Sequence, residues 1–312
     1  MLLRLASRTI VGHRVSLVRS FSLVVNHADF LNLVKNHGTG DILLEETGTQ
    51  EIMVLKLANP SRKNAISGRM MFQLANIVDT IVAMDMPSSH KAGCVNRSGL
   101  IVTGEGSIFC AGADFGLARE VLVTPELGRS MSLFMTDALN ALRASSLISV
   151  CLLNGPAVGG GAEISTCGDF RIMAHGSFVR FIHARMGVSP GWGGIARLFS
   201  AVGRTHTLRL LGTSEVLLPA EAVALGFADQ ALSAAGESCD NGDVKGGTLI
   251  DSAVAFLRPY TTDQPFPDAV RCIKRAVVAA DTCAAADAGA VELDMFSRRW
   301  QSTDNQKALG TK

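Results

Sequence analysis

Residues 154–163 (NGPAVGGGAE) combine an open main chain with an ionisable side chain. Gly159, Gly160 and Gly161 follow one another, so no Cβ stands between the backbone and an approaching molecule. The apolar run 147–153 before them reads as a buried strand, and residues 162–167 after them can start a helix. Backbone N–H groups at a helix start have no partner inside the helix and point outward. Glu163 falls in that first turn. Unpaired N–H donors beside a carboxylate can hold a developing oxyanion and move a proton next to it. A plain flexible turn, followed by a glutamate that the helix dipole favours, accounts for the stretch equally well. No Gly-Lys-Ser/Thr follows, which excludes a P-loop, and three adjacent glycines match the dinucleotide fingerprint poorly.

A second strand and turn precede the first. Residues 99–106 (GLIVTGEG) lead into residues 109–114 (FCAGAD). Residues 59–65 (NPSRKNA) stand upstream, and residues 169–171 (DFR) and 186–194 (MGVSPGWGG) downstream. In this order, over roughly residues 45–230, these segments resemble the crotonase superfamily, also called the enoyl-CoA hydratase/isomerase family. The resemblance implies a coenzyme A thioester as substrate. By motif, the N–H groups of Ala113 and Gly160 would hold its thioester oxygen. Lys63, Ala65, Ala111, Asp114, Phe115 and Trp192 would bind the substrate, with Arg62 beside Lys63 near the nucleotide phosphates. Two solvated charges in a polar loop describe Arg62 and Lys63 equally well.

Glu163 falls on one of the two glutamates that hydratases of the family use. The second is replaced, because His183 stands four residues before Gly187, where the other carboxylate is expected. Hydration needs one group to activate water and another to handle the α-proton. His183 and Trp192, together with Met70, Met71, Phe134 and Met135, are instead similar to a decarboxylating branch of the family. That likeness implies loss of CO₂ from a 2-alkylmalonyl-CoA, ethylmalonyl-CoA first and methylmalonyl-CoA second. The expected catalytic set is Ala113, Gly160, Glu163 and His183, with the proton donor open between the last two. An ionised Glu163 would repel the substrate carboxylate. Trp192, Phe115 and Met186 are the expected apolar walls. No metal or separate cofactor is expected, since the thioester serves as electron sink. The rivals are hydration or thioester hydrolysis on the same fold, and an acyl-CoA-binding protein without catalysis. His183 and Trp192 would then be ordinary packing residues.

Bulk properties fit an enzyme with its own core. A chain of 312 residues with 47% apolar residues can bury a large interior without staples. Its 29 basic and 28 acidic residues balance, and one tyrosine and two tryptophans make no basic-aromatic stripe, so no nucleic-acid partner is expected. The seven cysteines form no C-x-x-C pair, and several lie in apolar runs, which favours free buried thiols. No apolar run is long enough for a membrane span. Residues 1–28 carry Arg4, Arg8, Arg14 and Arg19 and no acid, as a mitochondrial presequence would. The family resemblance favours the cytosol, so cytosol and mitochondrial matrix stand nearly even.

The elements that must position these residues alternate. Strands are expected at 51–57, 99–103, 147–153 and 170–173, with helices at 65–83 and 130–144 and a loop at 87–93. The fold class is α/β. The resemblance makes residues 29–204 a crotonase-type ββα spiral core. From 205 to 312 the chain reads as mainly helical, at 205–211, 219–225, 249–257, 267–280 and 284–300, with a polar loop at 238–247. Relatives use such a region to cover the site and to build homotrimers or homohexamers.

Overall fold

The computed structural model describes residues 27–83, 97–233, 248–300 and 302–309. Residues 1–26 of the presequence-like stretch expected at 1–28, the loop expected at 87–93 and the polar loop expected at 238–247 lie outside the described residues.

Eight strands occur among the described residues: β1 (Asp41–Glu46), β2 (Ile52–Ala58), β3 (Gly99–Gly104), β4 (Ile148–Leu153), β5 (Ala157–Val158), β6 (Phe170–Met173), β7 (Val179–Arg180) and β8 (Gln230–Ala231). Six form one sheet in the order β1-β2-β3-β4-β6-β8. Only β1 and β2 pair antiparallel, from Asp41 opposite Ala58 to Glu46 opposite Met53. The remaining pairs are parallel. Every residue of β3 and β4 is buried, as parallel strands covered on both faces must be.

Alternation along the strands divides the core. Met53, Leu55, Leu57, Leu100, Val102, Cys151 and Leu153 pack with helices Gly68–Ala83 and Pro125–Ala144. Ile52, Val54, Ile101, Val150, Leu152 and Ile172 face the other way, onto Ala253 and Leu257 of helix Leu249–Leu257.

A second, minimal ladder runs beside the sheet. Ile66 bridges Ala113, Cys110 bridges Ala157, β5 pairs with β7, and Val179 bridges Leu217. Each turn of the chain therefore supplies a long strand, a short rung and a helix. This is the expected ββα spiral, and its rungs bring residues 110–113 against residues 157–158.

Two boundaries move for local reasons. Helix Gly68–Ala83 starts after residue 65, because Lys63 and Asn64 are left-handed (φ 55°) and Ile66 is spent on a rung. Helix Pro125–Ala144 starts before residue 130, where Thr124 accepts from Leu127 N and proline occupies the first turn. The helix Gly194–Thr213 runs through position 205, with its kink at Gly203 (φ 72°, ψ 175°). The region from 205 onward also supplies β8 to the main sheet.

Helix Pro267–Thr282 is bolted to the start of β4, and helix Ala285–Arg299 packs against it. Buried Lys274 pairs its Nζ with Asp169 Oδ2 at 2.8 Å and donates to Leu147 O. The same Oδ2 accepts from Ser149 N (2.7 Å) and Ser149 Oγ (2.8 Å), and Arg271 Nε donates to Ser146 Oγ at 2.8 Å. Removing one partner of a buried ion pair leaves the other uncompensated. Lys274→Met is expected to cost about 3 kcal/mol in urea unfolding. Lys274→Met combined with Asp169→Asn is expected to recover part of that loss; no recovery would show that the pair is not what holds the helices.

Candidate active site

The first component is a turn built by asparagine. Residues Pro60–Arg62 form a 3₁₀ turn, after which Lys63 and Asn64 adopt the left-handed conformation, which asparagine tolerates better than most residues. Asn64 is fully buried, accepts from Asn59 N at 2.9 Å, and donates to Ile108 O at 2.7 Å and Glu105 O at 2.9 Å. This stitches turn 59–66 to the turn after β3. Ala111 N donates to Lys63 O (3.0 Å), Ile66 N to Gly112 O (2.7 Å) and Asp114 N to Ile66 O (3.0 Å). Cys110 Sγ donates to Asn64 O at 3.1 Å and takes Gly112 N–H at 3.4 Å. Among the described residues, only the N–H of Ala113 in this stretch has no acceptor.

The second component is the glycine turn. Val158 N donates to Cys110 O (2.9 Å), Gly159 N to Arg180 O (2.9 Å) and Glu163 N back to Gly159 O (3.1 Å). Gly160 opens the short helix Gly160–Ile164, and its N–H also lacks an acceptor among the described residues. The two turns touch backbone to backbone. A Cβ at Gly112 would come within 2.9 Å of Gly160 N, and one at Gly161 within 2.0 Å of Cys110 O. A Cβ at Gly160 would reach 2.4 Å from the ring of Trp192, which lies over this glycine. Two unspent donors thus stand on touching turns, the arrangement an oxyanion requires.

The third component centres on Glu163, which is 1% exposed. Its Oε2 accepts from Trp192 N (2.8 Å) and Gly194 N (3.0 Å). Its Oε1 accepts from Gly191 N (3.2 Å) and meets His183 Nε2 at 3.0 Å. His183 opens the 3₁₀ turn His183–Met186, and its Nδ1 is buried without a hydrogen-bond partner. Four donors converge on two oxygens, which suits the carboxylate form.

Arg197 carries this turn from beneath, and no spacing in the sequence points to it. Buried in helix Gly194–Thr213, it donates from Nη2 to Trp192 O (2.6 Å) and Glu163 O (3.4 Å), from Nε to Thr166 Oγ1 (2.9 Å) and from Nη1 to Asn140 Oδ1 (2.8 Å). Burial pushes its pKa down, opposed in part by the charge of Glu163. Only the folded positions of Thr166, Asn140 and Trp192 show that one guanidinium joins them.

The candidate residues fall into two groups. Lys63, Ala65, Ala111, Ala113, Asp114 and Phe115 line an open cleft of about 220 Å³ together with Arg62 and Gly116. Gly160, Glu163, His183 and Trp192 do not line it; they form a second group joined to the first through the Gly112–Gly160 contact. Asp114 also caps helix Phe115–Glu120, accepting from Gly116 N at 2.6 Å. Phe115 is exposed in the cleft and Trp192 is buried. Met186, expected as a third apolar wall, is exposed in its turn. Among the described residues, no three His, Cys, Asp or Glu side chains cluster as a metal site would require.

Cys110 props the first turn as a neutral thiol, because burial pushes its pKa up to about 12. Thiols react as thiolates. At pH 8 iodoacetamide is expected to label exposed Cys283 and spare Cys110 in the folded protein, as read by peptide mass spectrometry. The folded state holds this proton more tightly than the unfolded chain. Its contribution to stability is therefore complete below the ordinary thiol pKa of 9.0 and is lost as pH rises from there towards 12. Rapid labelling of Cys110 at pH 8 would contradict the buried geometry.

Comparison with known proteins places the chain in a family. Residues 47–311 match the family model described as enoyl-CoA hydratase/isomerase. A protein named ethylmalonyl-CoA decarboxylase from Xenopus tropicalis is 34% identical over 277 residues, covering 88% of this chain and 84% of its own. Its namesake from Mus musculus is 33% identical over 275 residues, covering 88% and 78%. The crystal structure of enoyl-CoA hydratase from Bacillus anthracis superimposes with a TM-score of 0.71 at 22% identity, over 86% of this chain and 94% of that one. A putative enoyl-CoA hydratase from Thermobifida fusca, in complex with acetoacetyl-CoA, gives 0.66 at 22% identity over 88% and 97%. At that identity the solved structures speak for the fold, while the family match runs over residues 47–311. The chain belongs to the enoyl-CoA hydratase/isomerase family, the crotonase superfamily.

Proposed function

We propose that this protein decarboxylates a 2-alkylmalonyl-CoA, ethylmalonyl-CoA in preference to methylmalonyl-CoA, releasing CO₂ and a saturated acyl-CoA. One observation carries the proposal. The acceptor-free N–H groups of Ala113 and Gly160 stand on touching turns, and beside them a single carboxylate, Glu163, is matched by His183 rather than by a second carboxylate. Relatives named ethylmalonyl-CoA decarboxylase at 34% identity support the same substrate class.

The thioester oxygen would accept both N–H groups, with Arg62 and Lys63 at the cleft available to the phosphates of coenzyme A. As the bond to the departing carboxylate breaks, its electrons pass to the thioester oxygen, and the two donors meet the charge as it grows. The carboxylate must leave without being stabilised so well that the barrier rises. Glu163 need not repel it strongly, because three backbone N–H groups and His183 already oppose its charge. Hydration of an enoyl-CoA wants two carboxylates, and this pair has one. The exposed apolar side chains Ile273, Val277, Leu293 and Phe296 of the helical region support a homotrimer or homohexamer, to be read by light scattering.

Purified protein is expected to release CO₂ from ethylmalonyl-CoA without added metal or cofactor. Rapid hydration of crotonyl-CoA with no CO₂ from any malonyl thioester would end the proposal, and thermal stabilisation by acyl-CoA without turnover would leave a binding protein. Gly160→Pro deletes one donor and strains the turn, so a soluble variant is expected to lose at least ~10²-fold in kcat/KM. An extra buried methylene is worth about 0.8 kcal/mol. The specificity constant for ethylmalonyl-CoA is therefore expected to exceed that for methylmalonyl-CoA several-fold, as competition between the two esters would measure.

A further inference from the structure

We infer that His183 delivers the proton that ends the reaction, from Nδ1, and that Glu163 is a positioning residue that decides which ring nitrogen is free; this rests on the decarboxylase assignment above. A carboxylate offers about four lone-pair sites. Those of Glu163 meet four donors: Gly191 N, Trp192 N, Gly194 N and His183 Nε2. A proton on either oxygen would confront one of these N–H groups, and turning the carboxyl aside would strand three backbone donors. Glu163 therefore has no direction in which to give a proton.

His183 has one. Facing Glu163, its Nε2 is the donor, so the neutral ring carries its open lone pair on Nδ1. That atom is buried and has no hydrogen-bond partner among the described residues. Asp114, a carboxylate lining the cleft, spends an oxygen on the N–H of Gly116 at its helix cap.

The step balances. The bond from Cα to the carboxylate breaks, CO₂ leaves, and the electron pair rests on the thioester oxygen. It returns to form a Cα–H bond with the Nδ1 proton of the imidazolium, and the ring keeps the nitrogen lone pair. What remains is the Nε2–H tautomer already matched to Glu163, so the ring need not turn. Solvent then returns one proton to Nδ1.

The test is the handedness of deuteration at C2 of butyryl-CoA formed from ethylmalonyl-CoA in D₂O, using the full-length protein. Wild type is expected to give one enantiomer. His183→Gln is expected to release CO₂ more slowly and to give both enantiomers equally, because solvent then protonates the enolate. Glu163→Gln is expected to turn over more slowly yet keep one enantiomer. The double variant is expected to be no slower than His183→Gln alone, as two residues acting through one step require. Where Glu163→Gln does not fold, Glu163→Asp is judged by the same criterion. A single enantiomer from His183→Gln, or both from the Glu163 variant alone, overturns the inference.

A second arm does not depend on decarboxylation. Wild type is expected to exchange one C2 hydrogen of butyryl-CoA with D₂O, and His183→Gln to do so at least ~10²-fold more slowly. Wild-type exchange without CO₂ release would sink the decarboxylase assignment alone. Exchange unchanged in His183→Gln would sink the role of His183, and a wild type that neither exchanges nor releases CO₂ would sink both.

Discussion

The whole site depends on two main-chain turns lying against each other with no side chain between them. The carbonyls of Cys110 and Val158 and the nitrogen of Gly160 come so close that a single added methyl at Gly112 or Gly161 would overlap backbone atoms, which cannot step aside as a side chain can. Such closeness leaves two N–H groups unpaired, at a cost of about 1–3 kcal/mol each if water is excluded. The surrounding hydrogen bonds fix the arrangement. Asn64 ties the first turn to the chain after β3, the rungs at Ile66 and Cys110 set the register, and the ring of Trp192 closes over Gly160. Each of these sets where the two donors stand.

Glu163 is the second centre of organisation. In a chain of this family a glutamate after the glycine triplet looks like an acid or base in its own right. Here it is enclosed by the turn 191–194, with Arg197 holding the carbonyl of Trp192 in that turn and the backbone carbonyl of Glu163 itself. Its carboxylate thereby ties the helix Gly160–Ile164 to the turn 191–194. Placing the anion at the start of the Gly160 helix also suits the helix dipole, though over so short a helix that contribution is small.

Much of this was legible beforehand because glycine and asparagine carry conformational meaning wherever they stand. Residues 59–65, 109–114 and 154–163 could be recognised as turns that bring backbone to a ligand, and the buried strands announced themselves as apolar runs. Helix starts were harder. The left-handed Lys63 and Asn64 delay one helix by consuming residues with good helical character, whereas Thr124 and Pro125 marked another start that apolar spacing alone placed too late. Arg197 was invisible, because its four acceptors come from three separate stretches that only folding assembles. The exposure of Met186 was equally beyond reach, since a 3₁₀ turn has no hydrophobic period that would tell inside from outside. The free Nδ1 of His183 follows from an atom-level contact that residue types do not encode.

The rung-by-rung construction of the spiral has a kinetic consequence. The pieces of the site come from successive turns of the chain, with Gly99 registered against Ile148 in the sheet and Asn64 bonded across to Ile108. Parallel pairings of this kind close long loops and form slowly compared with local helices. Until the segment carrying residues 183–197 has docked, Glu163 lacks its backbone donors and Gly160 lacks its aromatic cover. A nascent chain emerging from the ribosome would thus hold the first two turns of the spiral well before it could bind anything in them. Competence arises as a late, cooperative event in folding, and it tells a correctly stacked chain from one whose last layer has not arrived.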